Sequence, residues 1–349
     1  MTTTELNDVK KAMAEHLRSG RVRTFIGWEQ GSNSFRSRPG FFRDAEEVDQ
    51  AIFSPACSQC LVRMIIEDIH YPLDGPDKRD PLGIILRGCD DKGVIELIKD
   101  NKIRREDLVI IGVDCPGVVD WKKVRELVRK KRITKEDLNK GRLVWKNRAV
   151  VLEEGGKEKN FQAAEILMNK CIECEGHTPR IYDVLVGKED TDRKIAPDPE
   201  EVIELEQKPS EEKWEYWDDV FSKCIRCYAC RNICTYCYCE ECAIDPTTLA
   251  VTAASTAADK ANRPLWVGRD STTSSNSAYL IMRAYHGSGR CISCQECDRA
   301  CPVGLPLRVL NRKVRKDVRE LFDYEAGDKV DDKPLFGDSS DSDPGEFIW

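Results

Sequence analysis

The chain has 349 residues, of which 40% are hydrophobic and 34% are charged, a composition typical of a soluble globular protein with room for two domains. A formal net charge of −7 leaves no basic stripe for binding phosphates, so nucleic acid is excluded as a partner. No signal-peptide pattern and no apolar stretch of about 20 residues occurs. We therefore expect a cytoplasmic protein with no direct membrane span.

The apolar periodicity predicts helices and strands that alternate along the first half of the chain. Helices are expected at 1–20, 93–99, around Val124 and Leu127, and at 161–168; strands are expected at 83–86, 108–113 and 149–152. Strands that alternate with helices indicate an α/β domain with a parallel sheet.

Changes in composition divide the chain into four predicted segments. The segments are an α/β domain over 1–187, a Pro- and Glu-rich linker over 188–212, a second domain over 213–325 and an acidic tail over 326–349. The tail should be mobile or wrapped on a partner, because it is rich in Ser and Asp.

Cysteine is the outlier of the composition. The 17 cysteines are an odd number and lie in clusters, most of them two or three residues apart. Such close pairs rarely close a strain-free disulfide, and nothing in the sequence points to an oxidising compartment. We therefore predict metal ligation in a reducing, anaerobic setting.

The spacing C-x2-C-x2-C-x3-C occurs twice in the second domain. The first copy is Cys224, Cys227, Cys230 and Cys234; the second is Cys291, Cys294, Cys297 and Cys301. In two-cluster ferredoxins three thiolates of such a loop bind one 4Fe-4S cluster, while the fourth reaches the other cluster. Cross-ligation then joins Cys301 to the first trio and Cys234 to the second.

These motifs resemble the bacterial-type dicluster ferredoxins, which implies an α+β ferredoxin domain. Thr235 stands where that family has proline, and the two motifs are farther apart than in a minimal ferredoxin. The insertion at 265–289 is expected to add a helix that covers one cluster. A structural zinc site is the weaker alternative, because zinc takes four ligands from pairs of short knuckles.

Three further cysteines, Cys237, Cys239 and Cys242, follow the first motif directly. They either pack beside a cluster or complete a further cluster with a distant cysteine. The neighbouring tyrosines Tyr236 and Tyr238 would exclude water in either case.

Cys89 and Cys115 each follow a predicted strand, and Cys171-x-x-Cys174 follows a helix. The carboxyl ends of parallel strands are where α/β proteins place ligands, so we expect these four cysteines to form a third 4Fe-4S site. The alternative is that Cys89 and Cys115 are buried small apolar residues.

The pieces Arg87-Gly88-Cys89-Asp90 and Ile110 to Gly117, with Cys171-x-x-Cys174, resemble the beta subunits of deazaflavin-coenzyme-linked hydrogenases and formate dehydrogenases. They also resemble dicluster subunits of heterodisulfide-reductase-like complexes. The resemblance implies that Cys57 joins the N-terminal site and that the chain relays electrons within a larger oxidoreductase. Five thiols would also permit a noncubane cluster, whereas Cys57-x-x-Cys60 could instead form a dithiol redox pair.

The sequence therefore predicts an iron–sulfur electron-transfer subunit that works with other subunits of a redox complex. Two 4Fe-4S clusters are required by the spacing, three are expected and four are allowed by the cysteine count. The alternative is a flavin-containing subunit with FAD that exchanges hydride with a deazaflavin or nicotinamide coenzyme, although no G-x-G-x-x-G follows a strand.

Overall fold

The computed structural model describes residues 3–70, 81–195, 197–239, 242, 244, 267–268 and 270–337. The chain divides into two compact units. Unit 1 comprises Met1–Pro197 with Gly327–Asp332, and unit 2 comprises Asp198–Ala326 with Lys333–Trp349.

Unit 1 is built on a six-stranded mixed sheet with a parallel centre. Its strands are β1 (Thr24–Gln30), β2 (Ser37–Phe42), β3 (Ala51–Ile52), β4 (Leu82–Leu86), β5 (Leu108–Val113) and β9 (Val184–Val186). The order is β2-β1-β4-β5-β9, with β3 also paired to β1, and the pairs β1-β4, β4-β5 and β5-β9 are parallel. Every residue of β4 and β5 is buried, as expected for central strands covered on both faces.

The remaining strands of unit 1 form a separate antiparallel sheet, which is β6 (Arg142–Lys146), β7 (Ala149–Glu154) and β8 (Lys157–Asn160). The helices of the unit are α1 (Thr3–Arg18), α2 (Val62–His70), α3 (Asp91–Lys99), α4 (Trp121–Arg129), α5 (Lys135–Lys140), α6 (Ala163–Ile166) and α7 (Asn169–Ile172). Short 3-10 turns lie at Glu47–Gln50 and Arg105–Asp107.

The structure confirms the alternation of helices and strands in unit 1 and corrects it at three points. The strand expected at 149–152 is β7 of the antiparallel sheet and takes no part in the parallel one. The helix expected at 161–168 is broken into α6 and α7, because Leu167 and Met168 adopt extended backbone between them. The sheet is also mixed, since β2 and β3 run antiparallel to β1.

Unit 2 consists of helices and loops in the part that the structure describes. The helices are α8 (Glu200–Gln207), α9 (Ser210–Ser222), α10 (Ala229–Asn232), α11 (Thr273–His286), α12 (Glu296–Ala300) and α13 (Leu307–Phe322), with a 3-10 turn at Leu335–Gly337. No strand occurs among these described residues, so the expected α+β character is not seen there. None of the described helices is long and apolar enough to cross a membrane.

Two segment predictions differ from the structure. The stretch 188–212 contains α8 and the start of α9, so it is not an irregular linker; its prolines precede helices, with Pro199 and Pro209 as the caps. The stretch from 326 is not a uniform tail either, because Gly327–Asp332 is part of unit 1 and Lys333 onward is part of unit 2. Residues 338–349, which include the closing aromatic residues of the chain, lie outside the described part.

Gly88, just after β4, marks a close backbone approach in unit 1. A Cβ placed there would overlap the carbonyl oxygens of Gly176 and Thr178. Backbone atoms have no other position to take, so the chain needs glycine at this point. The approach brings the loop after Cys174 against the loop that carries Cys89.

We expect Gly88→Ala to lower the free energy of unfolding of unit 1 by about 1–3 kcal/mol, the usual cost of overpacking, and to lower the melting temperature. Gly176→Ala is the matched control, because its Cβ would meet only the flexible Arg193 side chain, at 3.2 Å. Calorimetry on both variants tests this; equal melting temperatures would contradict the close approach.

Candidate metal centres

The carboxyl edge of the parallel sheet in unit 1 carries two cysteines. Strands β4 and β5 are adjacent and parallel, with Ile84 opposite Ile110 and Leu86 opposite Gly112. Cys89 follows the end of β4 and Cys115 follows the end of β5. The two loops therefore leave the sheet at the same edge, as the sequence predicted.

Hydrogen bonds join the Cys115 loop to the segment that carries Cys171 and Cys174. The Cys115 amide donates to the His177 carbonyl at 3.1 Å, and the Val118 amide donates to the Cys171 sulfur at 3.4 Å. The His177 Nδ1 atom lies 3.0 Å from the Cys115 carbonyl oxygen and 3.7 Å from the Cys174 sulfur. The structure thus brings three of the four predicted ligands into one place.

The electrostatics show that the four thiols act on one another. Burial raises the pKa of Cys115 to about 12, and the charges of Cys171 and Cys174 add to this rise. Burial also raises the pKa of Cys89, to which Cys171 contributes as well. A metal would therefore have to displace protons from these thiols, which couples binding to pH.

Arg87, together with Lys170, supplies positive charge beside these thiols. Its buried guanidinium donates to the Asp90 carboxylate at 2.7 Å, to the Gln59 carbonyl at 2.7 Å and to the Cys57 carbonyl. It opposes the rise in pKa at Cys89 and Cys115. Arg87 belongs to a motif that is visible in the sequence, but its role is not, because a buried charge has no periodic signal.

Cys57 receives less support as a ligand. Its sulfur accepts from the Ser54 amide at 3.4 Å and lies 3.8 Å from the Ile52 carbonyl, and burial raises its pKa to about 11. These neighbours are not thiols, so a ligand role for Cys57 stays a prediction. Cys60 is also buried, beside Asp90, in the turn that leads into α2.

The two motifs of unit 2 fold into loops with the same unusual backbone. Arg226 and Tyr228 in the first loop have φ of 53° and 60°, and Ser293 and Gln295 at the equivalent positions of the second have 56° and 63°. Left-handed backbone in residues other than glycine costs about 1–2 kcal/mol each. Two independent copies of this strained loop indicate a built site.

Each loop leads into a short helix and then into the fourth cysteine. Cys230 lies in α10 and Cys297 in α12, and these two helices pack against each other. Cys234 follows α10, and Cys301 follows α12. Packing two such helices side by side carries each fourth thiol towards the opposite loop.

A cavity at the second loop is lined by the fourth cysteine of the first motif. It has about 360 Å³ of empty volume, partly open to solvent, and Cys234 lines it together with Cys291, Cys294 and Cys297. Cys301 is correspondingly part of the core against which Cys224 and Cys230 pack. Burial raises the pKa of Cys224 and of Cys230, and the charge of Cys301 adds to the rise. The arrangement supports the predicted cross-ligation, with Cys227 exposed on the first loop.

The donor set fits a cluster with sulfur acceptors. The Leu305 amide donates to the Cys301 sulfur at 3.3 Å, and the Asn311 amide group donates to the Cys297 sulfur at 3.6 Å. Burial would raise the pKa of Cys234, but a hydrogen bond from Cys237 and the charge of Arg283 hold that pKa at about 6. These donors favour the thiolate forms of Cys301, Cys297 and Cys234.

The three cysteines after the first motif do not gather into a further site in the described part. The side chains of Cys237 and Cys234 form a hydrogen bond, and Cys234 lies beside the second loop. Cys239 is exposed. Cys242 packs against the core of unit 2 and acts electrostatically on Cys237. A fourth cluster formed by these residues therefore stays a prediction.

No three Cys, His, Asp or Glu side chains among the described residues converge tightly enough to hold a single metal ion. A zinc site would need such convergence. The thiolates of a 4Fe-4S cluster bind different irons and stand farther apart.

Two protein families match segments of this chain. The family described as 4Fe-4S dicluster domain matches residues 197–305. A second family, described as the C terminus of the beta subunit in coenzyme F420 hydrogenase/dehydrogenase, matches residues 80–216. The chain thus contains a segment similar to 4Fe-4S dicluster domains and a segment similar to these beta subunits. The two matches together span the Cys89–Cys174 region and both ferredoxin-type motifs up to Cys301.

Curated relatives agree with the family matches. This chain is 24% identical over 369 aligned positions to the F420-dependent formate dehydrogenase subunit beta of Methanocaldococcus jannaschii, covering 89% of each chain. It is 22% identical to the F420-dependent formate dehydrogenase 1 subunit beta of Methanococcus maripaludis, covering 65% of this chain and 71% of that one. These matches confirm the prediction of an iron–sulfur electron-transfer subunit and favour it over the flavin-containing alternative.

Among solved structures, a chain of the F420-reducing NiFe hydrogenase complex from Methanosarcina barkeri aligns with 50% of this chain and 64% of its own length. The sequence identity is 12% and the TM-score is 0.37.

We expect Cys234→Ser to destroy the cluster of the second loop and to spare that of the first, because Cys234 lines the second cavity. Electron paramagnetic resonance of the reduced protein, with Cys301→Ser as the reciprocal variant, measures both clusters. Loss of the first-loop signal in Cys234→Ser, with the second intact, would contradict the crossing.

For the whole chain we expect about twelve iron atoms, four for each of three clusters. Cys115→Ser should lower this to about eight, because it removes one of the four thiols at the sheet edge of unit 1. Cys60→Ser is the control, since Cys60 is equally buried but is not an expected ligand. About eight irons in the unaltered protein would show that Cys89 and Cys115 only pack.

Proposed function

We propose that this chain is the electron-transfer beta subunit of an anaerobic, cytoplasmic complex that couples coenzyme F420 to formate or hydrogen. The observation that carries the proposal is the pairing of a sheet-edge thiol site with two crossed ferredoxin-type loops in one chain. Two curated relatives are named as beta subunits of F420-dependent formate dehydrogenases. A protein with this many free thiols also needs a reducing compartment.

When bound, 4Fe-4S clusters would supply one-electron carriers within the chain. We propose that Cys224, Cys227, Cys230 and Cys301 hold one cluster, that Cys291, Cys294, Cys297 and Cys234 hold a second, and that Cys89, Cys115, Cys171 and Cys174 hold a third. The left-handed loops fix the thiols of each trio before any metal binds.

The surrounding side chains control water and charge at these sites. Tyr236 and Tyr238, each 7% exposed, exclude solvent next to Cys234. Arg87 supplies a buried positive charge at the sheet edge. Low dielectric and fixed charge set how readily such a site accepts an electron.

Other subunits are expected to carry the reaction with formate or hydrogen. The names of the two curated relatives, each a beta subunit of a dehydrogenase, support this division of labour. FAD remains the alternative prediction, in which this chain itself takes hydride from the coenzyme before passing single electrons on.

The test is electron transfer in the native complex, purified anaerobically. We expect a Cys224→Ser/Cys301→Ser double variant to abolish reduction of coenzyme F420 by formate or hydrogen, because it cuts the relay. Dye reduction by the catalytic partner should persist in this variant. Cys60→Ser should leave both activities unchanged.

Analysis of the cofactor that acid releases from the same preparation distinguishes the electron-transfer subunit from the flavin-containing alternative. Clusters without flavin in the isolated chain support the electron-transfer function, whereas stoichiometric FAD would favour the alternative. Coupled F420 reduction that survives the double variant would contradict the relay.

A further inference from the structure

Helix α11, in the insertion between the two motifs, has a polar buried face. Asn276, Tyr279 and Arg283 lie on this face at helical spacing and are 0%, 3% and 5% exposed. Burying a polar or charged side chain costs free energy unless a partner satisfies it. These buried polar side chains therefore indicate that groups beside the helix accept hydrogen bonds from them.

Arg283 lies between the two sets of ferredoxin-type cysteines. Its guanidinium donates to the Cys230 carbonyl at 2.9 Å, beside the first trio. The same guanidinium lies 5.3 Å from the ring of Tyr236, which lines the second cavity with Cys234. One fixed charge thus faces both sites.

The counter-charges of Arg283 are one phenol and three thiols. The groups that raise its pKa against burial are Tyr236, Cys234, Cys237 and Cys230. Among the described residues it forms no ion pair with a carboxylate, although a buried arginine is normally paired with one. Burial raises the pKa of Cys291 and of Cys297, and the charge of Arg283 opposes that rise.

Two donors on this face have no acceptor among the described residues. They are the Arg283 Nε–H and the Tyr279 hydroxyl, one turn apart on α11 and both buried. An unsatisfied buried donor costs free energy, and such groups are rare in native proteins. Cys230 is a neighbour of both side chains: Arg283 donates to its carbonyl, and Cys230 acts electrostatically on Tyr279. Thiolate or sulfide would serve both donors as an acceptor.

We propose that Arg283 and Tyr279 raise the reduction potentials of the two ferredoxin-type clusters, with Arg283 acting on both and Tyr279 on the one that contains Cys230. Reduction adds one negative charge to a cluster, and a buried cation or a hydrogen bond to sulfur stabilises the added charge. The proposal rests on the proposed function, because it needs clusters at these cysteines. It assigns the inserted helix a role as the element that tunes them.

The test is a redox titration of the full-length chain, followed by electron paramagnetic resonance. We expect Arg283→Gln to make both potentials more negative, with at least a tenfold fall in the reduced-to-oxidised ratio at a fixed potential, about 59 mV for one electron. Arg283→Lys keeps the charge and should shift them less. Tyr279→Phe should shift only the potential of the cluster bound by Cys224, Cys227, Cys230 and Cys301.

Matched controls keep the result interpretable. Tyr285→Phe makes the same change on the same helix at a residue that is 64% exposed, and Arg129→Gln removes a charge from a side chain that is 76% exposed in unit 1. Both should keep the unaltered potentials. Unaltered potentials in Arg283→Gln and Tyr279→Phe, with iron retained, would overturn the proposal.

Iron content separates this outcome from failure of the proposed function. Unaltered protein without iron at the ferredoxin-type motifs would refute the proposed function itself. If Arg283→Gln alone loses its iron, Arg283→Lys and Tyr279→Phe decide: shifted potentials support the proposal, and potentials equal to those of the controls overturn it.

Discussion

Thiolates repel one another, and gathering several of them in a buried place needs compensating positive charge. In unit 1 that charge comes from Arg87, which the Cys57 and Gln59 carbonyls hold in position, and from Lys170 beside Cys171. In unit 2 it comes from Arg283 beside Cys230 and Cys234. Bound iron would complete the compensation, because metal ligation favours the deprotonated thiol.

The same constraint explains the repeated backbone of unit 2. Three thiols within seven residues point to one centre only if the chain between them coils tightly, and left-handed residues at equivalent positions provide that coil in each loop. The short helices α10 and α12 then pack together and bring Cys234 and Cys301 across. Two copies of one loop thus form a pair of sites that depend on each other.

Much of this could be predicted from the sequence. The buried strands β4 and β5 have continuous apolar runs, and Cys89 and Cys115 follow them directly, so their placement at one sheet edge followed from the parallel pattern. The position of Cys234 beside the second loop could be predicted from the cysteine spacing and its resemblance to dicluster ferredoxins. Resemblance of short motifs was enough to indicate the beta subunits that the comparisons later matched.

Other features of the structure leave no signal in the sequence. Strands β1 and β9 are short or mixed in polarity, and their place in the sheet depends on pairing with β4 and β5, which lie far away in sequence. The 188–212 segment looked like a linker because charged side chains cover its helices. Arg87, Tyr279 and Arg283 act through burial and three-dimensional proximity, which neither periodicity nor spacing records.

We propose that each ferredoxin-type cluster takes its fourth thiolate from the opposite motif. Anomalous diffraction at the iron edge, from crystals grown anaerobically, locates the irons themselves and so tests this crossing. We expect one iron centre enclosed by Cys291, Cys294, Cys297 and Cys234, and another enclosed by Cys224, Cys227, Cys230 and Cys301. An iron centre bound by all four cysteines of a single motif would contradict it.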